Sequence, residues 1–148
     1  MGYYTRHTLT LFGPRDAVVA AWLDEVKSYE CALLDMASGE TTKWYDHNND
    51  MILLSKRHPE VGFLLKGEGE ESGDVWAAYF FRGKAEEFRM EPWVPPPCTI
   101  SGWPAGEAIG SEAARLALAA RKKERAASER AREIARLEAE LTRLRSGA

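Results

Sequence analysis

Two short apolar runs joined by an acidic, glycine-containing loop constrain this chain more than any other feature. Val61 to Lys66 reads VGFLLK, Val75 to Phe81 reads VWAAYFF, and GEGEESGD lies between them. Both runs are apolar in both alternate phases. Val61, Phe63 and Leu65 oppose Leu64 in the first, and Trp76 and Phe80 oppose Tyr79 and Phe81 in the second. Strands of that kind suit the centre of a sheet rather than its edge. The wider stretch from Lys43 to Lys84 holds the densest aromatic content, and the other elements are read around it.

Upstream, Tyr3 to Phe12 alternates as a strand, with His7, Leu9 and Leu11 on one face. Gly13-Pro14 ends it and opens a helix, which carries Val18, Val19, Trp22, Leu23 and Val26 as an apolar stripe. Tyr29 to Met36 is expected as a second strand, followed by the turn chemistry of ASGETT. Asp46 is a suitable N-cap for a second helix that Pro59 stops after His58. Downstream of the apolar pair, Arg82-Gly83 forms a tight turn. Ala85 to Glu91 follows as a charged edge strand, with Phe88 and Met90 inward and Glu87, Arg89 and Glu91 outward. The order strand, helix, strand, helix and three strands fits a ferredoxin-like α+β sandwich, an antiparallel sheet with both helices on one face. Its second face is expected to stay uncovered unless something else lies on it, exposing one phase of the sheet aromatics.

The domain reading follows. Residues 1–92 form the α+β body. Residues 93–110 form a connector rich in Pro, Gly and Trp, whose two tryptophans pack back on the body. Residues 111–146 form one long helix of Ala, Glu, Arg and Leu without a breaker. Its last two heptads place Ile134, Leu137, Leu141 and Leu144 on a coiled-coil seam, whereas Lys123 and Arg130 weaken the middle. Self-association as a homodimer or higher oligomer is expected, held by this seam together with exposed sheet aromatics.

Charge divides the chain unevenly. The first 120 residues carry eleven basic and eighteen acidic groups, and the tail from Arg121 carries nine basic and five acidic ones. An acidic body argues against a general nucleic-acid clamp, while Arg121, Lys122, Lys123, Arg125, Arg130 and Arg132 leave nucleic-acid binding by the C-terminal helix as an alternative. No run approaches the roughly 18 apolar residues of a membrane span. The start MGYYTR lacks a signal peptide's apolar segment, and Arg6 occupies the position where a myristoylation start has Ser or Thr. With only Cys31 and Cys98, the simplest reading is a cytoplasmic location, with both cysteines as small core residues.

Chemistry-bearing patterns are sparse. Glu68, Glu70, Glu71 and Asp74 crowd the loop, which makes a metal-dependent enzyme a further alternative. Asp46, Asn48 and Asp50 begin a calcium-loop pattern, but its twelfth position is Arg57. His7, His47 and His58 form no metal-ligating or nucleophile-activating motif; His47 is read as a surface residue, with an oriented base beside Asp46 and Asp50 as the sharper reading. No catalytic set, metal site or cofactor is expected. Trp44, Tyr45, Glu68, Glu70, Glu71, Asp74, Trp76 and Phe80 are the candidate ligand- or partner-binding residues.

The segments KWYDHNNDM, RHPEVGFLL and GEGEESGDVWAAYFFRGK resemble small uncharacterised proteins of bacteriophages and plasmids. More distantly they are similar to YubB-type ferredoxin-like domains of mobile elements. The resemblance covers roughly residues 1–92 and implies an accessory protein with a small α+β fold, without catalytic residues to carry over. The functional expectation is a non-enzymatic binding module that engages a host protein, in the host cytoplasm if phage-encoded, or a small ligand. Counteracting a host defence system is one concrete version.

Overall fold

The structure is a computed structural model that describes residues 4–36, 41–71, 73–89, 95–104 and 106–147. The chain divides into two compact units, Met1–Ala114 and Arg115–Ala148.

In the first unit, β1 (Thr5–Phe12) leads through Gly13-Pro14 into α1 (Arg15–Leu23), and the Val18 amide donates to the Pro14 carbonyl to start the helix. Two-residue strands β2 (Glu25–Val26) and β3 (Cys31–Ala32) form a small hairpin, and α2 (Leu33–Met36) follows it directly. Strand β4 (Thr41–Thr42) precedes α3 (His47–Arg57). Then come β5 (Gly62–Gly69), β6 (Val75–Phe81), β7 (Lys84–Arg89) and the short β8 (Ala108–Ile109). The main sheet is antiparallel in the order β4–β1–β5–β6–β7. Strand β5 flanks β1 along its whole length, so β4 and β8 share the other edge, pairing Thr5–Arg6 and Leu11–Phe12 respectively.

The expected strand over Tyr29–Met36 is corrected. Only Cys31 and Ala32 are extended, and Leu33–Met36 makes one helical turn tied to α1 by the Leu33 amide donating to the Asp24 carbonyl. Leu33, Leu34 and Met36 are all buried in one cluster. A strand would have sent neighbours Leu33 and Leu34 to opposite faces, which explains why the helical turn wins. Of the turn expected after it, residues 37–40 lie outside the described residues.

Both faces of the sheet are covered. On one, Leu9, Leu11, Phe63, Leu65, Trp76, Ala78 and Phe80 pack with Val18, Ala21 and Trp22 of α1 and Met51 and Leu54 of α3. The Trp22 indole also donates to the Ile109 carbonyl at 3.1 Å, linking α1 to β8. On the other face, Leu64, Ala77 and Tyr79 meet Phe12, Phe88, Cys98, Ile100 and Trp103. The expectation of exposed sheet aromatics is therefore corrected, because the proline-rich connector covers them. Trp103 lies 5.0 Å from Tyr79 and 6.0 Å from Phe81 between ring centroids, and its ring fills the space above Gly62. The segment is pinned by the Tyr79 hydroxyl donating to the Pro96 carbonyl and by Glu86, which accepts from both the amide and hydroxyl of Thr99. Trp93, Met90 and Glu91 lie outside the described residues. Phe88 turns toward this second face, while Glu87 and Arg89 share the helix-covered phase, beyond where the helices close it.

The β6–β7 turn is the tight one expected. Arg82 and Gly83 both have positive φ, 50° and 79°, as a two-residue hairpin of this hand requires. Arg82 sustains that conformation with its guanidinium on the Pro59 carbonyl and over the Phe81 ring. Asp46 occupies the N-cap position of α3 without a side-chain capping bond.

The second unit belongs to α4 (Ser111–Ser146), whose first turn buries Ala114 in the first unit's core. Residues 121–147 are exposed throughout, including Ile134 at 56 %, Leu137 at 51 %, Leu141 at 49 % and Leu144 at 61 %. No helix among the described residues is long and apolar enough to cross a membrane.

Candidate functional site

One rung of the sheet organises the site. The register sets His7 of β1 opposite Gly67 of β5, Gly67 opposite Trp76 of β6, and Trp76 opposite Arg89 of β7. Alternation along β1 carries His7 to the same face as Leu9 and Leu11, but one rung beyond the fully apolar core. Gly67 has no side chain, so the Trp76 indole lies flat over it: a Cβ there would fall 2.3 Å from two atoms of the ring. The start of α3 and the residues before it close the rung from above. The result is a cavity of about 260 Å³ lined by Trp44, Tyr45, His47 and Asn48 from that side, and by His7, Trp76 and Arg89 from the sheet.

Four rings pack around it. His47 stacks on Trp76 with centroids 4.7 Å apart and planes 21° from parallel. His7 meets Trp44 and Trp76 edge-on at 5.3 and 5.9 Å and stands 5.8 Å from His47. Three of the four rings, Trp44, His47 and His7, are aimed by hydrogen bonds. The Trp44 indole donates to Asp50 at 2.7 Å, and the Ser28 hydroxyl donates to the same carboxylate oxygen. These two donors make the burial of Asp50, 5 % exposed, tolerable. His47 Nδ1 donates to the Trp44 carbonyl at 2.8 Å, which in the neutral ring leaves the Nε2 lone pair toward other partners. His7 Nδ1 lies 3.0 Å from the Thr42 hydroxyl.

Of the sequence-derived candidates, Trp44, Tyr45, Asp74 and Trp76 come together at this cavity. Phe80 does not: it is fully buried in the core. The loop carboxylates diverge. Glu70 accepts from the Tyr4 amide, Asp74 pairs with Arg89 at 2.5 Å, and Glu68 is exposed, as is Glu71. Among the described residues no group of three or more His, Cys, Asp or Glu is arranged to hold a metal ion. His7 and His47 were not among the candidates. The available signals were the alternation that turns His7 inward with Leu9 and Leu11, and the three-residue step from Trp44 to His47. His47 is oriented by the Trp44 carbonyl, not by Asp46 or Asp50. Elsewhere, Asp24 holds Arg57 and His58. Burial opposes its ionisation, yet hydrogen bonds from His58, the Glu25 amide and Arg57 together keep its carboxyl below the ordinary value.

Burial, then the neighbouring His47, pushes His7 down from 6.5 to about 4. The unfolded chain therefore takes up a proton near pH 6.5 that the folded chain refuses until about pH 4. The contribution of neutral His7 is complete above pH 6.5 and is lost as pH falls toward 4. With allowance for solvent at the cavity mouth, the expected loss is on the order of 2 kcal/mol. Urea unfolding at pH 7 and pH 4.5 should show it, and His7→Asn should remove that part of the pH dependence. An identical pH dependence in the variant would contradict the assignment. Comparison of the chain with protein-family models, curated proteins and solved structures gives no match, so the chemistry of the site is read from its own residues.

Proposed function

We propose that the chain is a non-enzymatic binding protein that holds a small ligand, or one side chain of a partner protein, in the His7–His47–Trp76 cavity. The observation that carries this reading is the construction of the cavity. Gly67 makes room for an indole that forms its floor, and separate hydrogen bonds fix Trp44, His47 and His7 around a space left open. Among the described residues that line it there is no serine, cysteine or lysine for the imidazoles to activate. An accessory protein of a phage or mobile element, acting on a host component, is a setting that such a module fits.

The three histidines provide the test. Ring signals of His7 and His47 in nuclear magnetic resonance report on the cavity, and His58, held by Asp24 outside it, serves as internal reference. Fragments drawn from small cations, anions and neutral heteroaromatics are expected to move the first two signals in a saturable way and leave the third unchanged. If no member of the set does so, the binding reading fails.

We further propose that the protein works as a dimer through α4. In a parallel pair, Glu140 of one copy faces Arg145 of the other beside the seam of Ile134, Leu137, Leu141 and Leu144. An antiparallel pair would set Glu133 against Glu140 but also Glu138 against Arg145, so these charges leave the orientation of the pair open. In the parallel arrangement Glu133 faces Glu138, so the association is expected to be moderate. The sheet aromatics, being covered, take no part.

A further inference from the structure

We infer that the cavity recognises a guanidinium group, either on a free small molecule such as arginine or on an arginine side chain of a partner. This rests on the reading of the cavity as a binding site and specifies what enters it.

Three features converge on a planar cation. The first is the supply of acceptors. His47 spends its Nδ1 proton on the Trp44 carbonyl, leaving Nε2 of the neutral ring as an acceptor. His7 is buried to 98 %, and its Nε2 joins as a second acceptor in the tautomer whose Nδ1–H donates to the Thr42 hydroxyl oxygen. The second is shape. Indole and phenol rings of Trp44, Trp76 and Tyr45 wall the space, and a guanidinium, flat and weakly hydrated, lies against such rings more readily than a compact ammonium does. The third is charge. Asp74 and Glu87 outnumber Arg89 at the mouth, and Glu68, Glu70 and Glu71 stand on the adjoining β5–β6 hairpin. An anion entering here would meet carboxylates and imidazole lone pairs.

Arg89 supplies an internal precedent. Its guanidinium already sits at the mouth, held by Asp74. An incoming guanidinium would compete with it for the same carboxylate, which makes Arg89 an attenuator of the site.

The test titrates the full chain at pH 7 and constant ionic strength with methylguanidinium chloride, following the histidine ring signals. Saturable movement of His7 and His47 with His58 unmoved is the expected result, with methylammonium chloride acting more weakly and sodium phosphate and sodium acetate not at all. Glu87→Gln should weaken methylguanidinium binding about three- to fivefold, and Arg89→Ala should tighten it. Free L-arginine and the peptide acetyl-Gly-Arg-Gly-amide then separate the two sources, the tighter binder naming the one in use. Movement by phosphate or acetate without methylguanidinium, or loss of binding in Arg89→Ala, overturns the guanidinium assignment and leaves the binding reading standing. Silence toward every compound overturns both.

Discussion

Gly67→Val is expected to cost on the order of 3 kcal/mol and to abolish the cavity. The first added carbon would lie 2.3 Å from Trp76 Cε2 and Cζ2, far inside van der Waals contact. The indole cannot simply rise, because His47 stacks on it and His7 abuts its edge. It must rotate away, taking the floor of the site with it. Urea unfolding measures the stability, and collapse of the His47 ring-current shift measures the loss of the stack. Gly73→Ala is the comparison. That residue has φ of 85° but open space around it, so only backbone strain of about 1 kcal/mol is expected. Wild-type stability and an unchanged His47 signal in Gly67→Val would show that the indole is not seated on the glycine.

Replacing Leu137 and Leu141 together by Glu should convert a dimer into a monomer with the first unit still folded. Each leucine is about half exposed in one chain, 51 % and 49 %, so dimer formation can bury only that exposed half. At about 1 kcal/mol for each, four leucines in two chains amount to roughly 4 kcal/mol before the cost of placing four carboxylates in the seam. Light scattering at tens of micromolar reports the mass, and the His7 and His47 signals report that the first unit is intact. If the wild-type chain is already monomeric at that concentration, the dimer proposal is wrong.

The parts of the fold legible in the sequence were those where one periodicity ruled. The apolar pair around the acidic loop, the helix after Asp46 and the breaker-free tail all stand close to their expected positions. The errors fell where a few residues served two neighbours at once. Leu33, Leu34 and Met36 have strand-like composition, but their common burial is decided by α1 and the core above them. Strands β4 and β8 are two residues each, too short for any pattern, and exist only because β1 offers them an edge. Trp103 reads as part of a proline-rich connector, and its seat above Gly62 depends on the β5–β6 register. The site failed for a related reason. The carboxylates crowd together in sequence on the β5–β6 loop, yet diverge in space. The residues that converge in space come from four elements: the sheet register aligns His7, Trp76 and Arg89, and the packing of α3 sets His47 over them.

The two short strands on β1 also govern how copies of this protein meet at high concentration. Between the Thr5–Arg6 pairing with β4 and the Leu11–Phe12 pairing with β8, only His7, Thr8, Leu9 and Thr10 lack a neighbour on that edge among the described residues. A foreign strand would need to fit between two fixed stops, in a gap shorter than the five or six residues of an ordinary strand. The opposite border, β7, carries Lys84, Glu86, Glu87 and Arg89, charges that a second β7 would have to bring into register with its own. Edge-to-edge pairing between copies is thereby opposed at one border by geometry and at the other by electrostatics. The protein can carry a core as aromatic as VWAAYFF without offering it as a template.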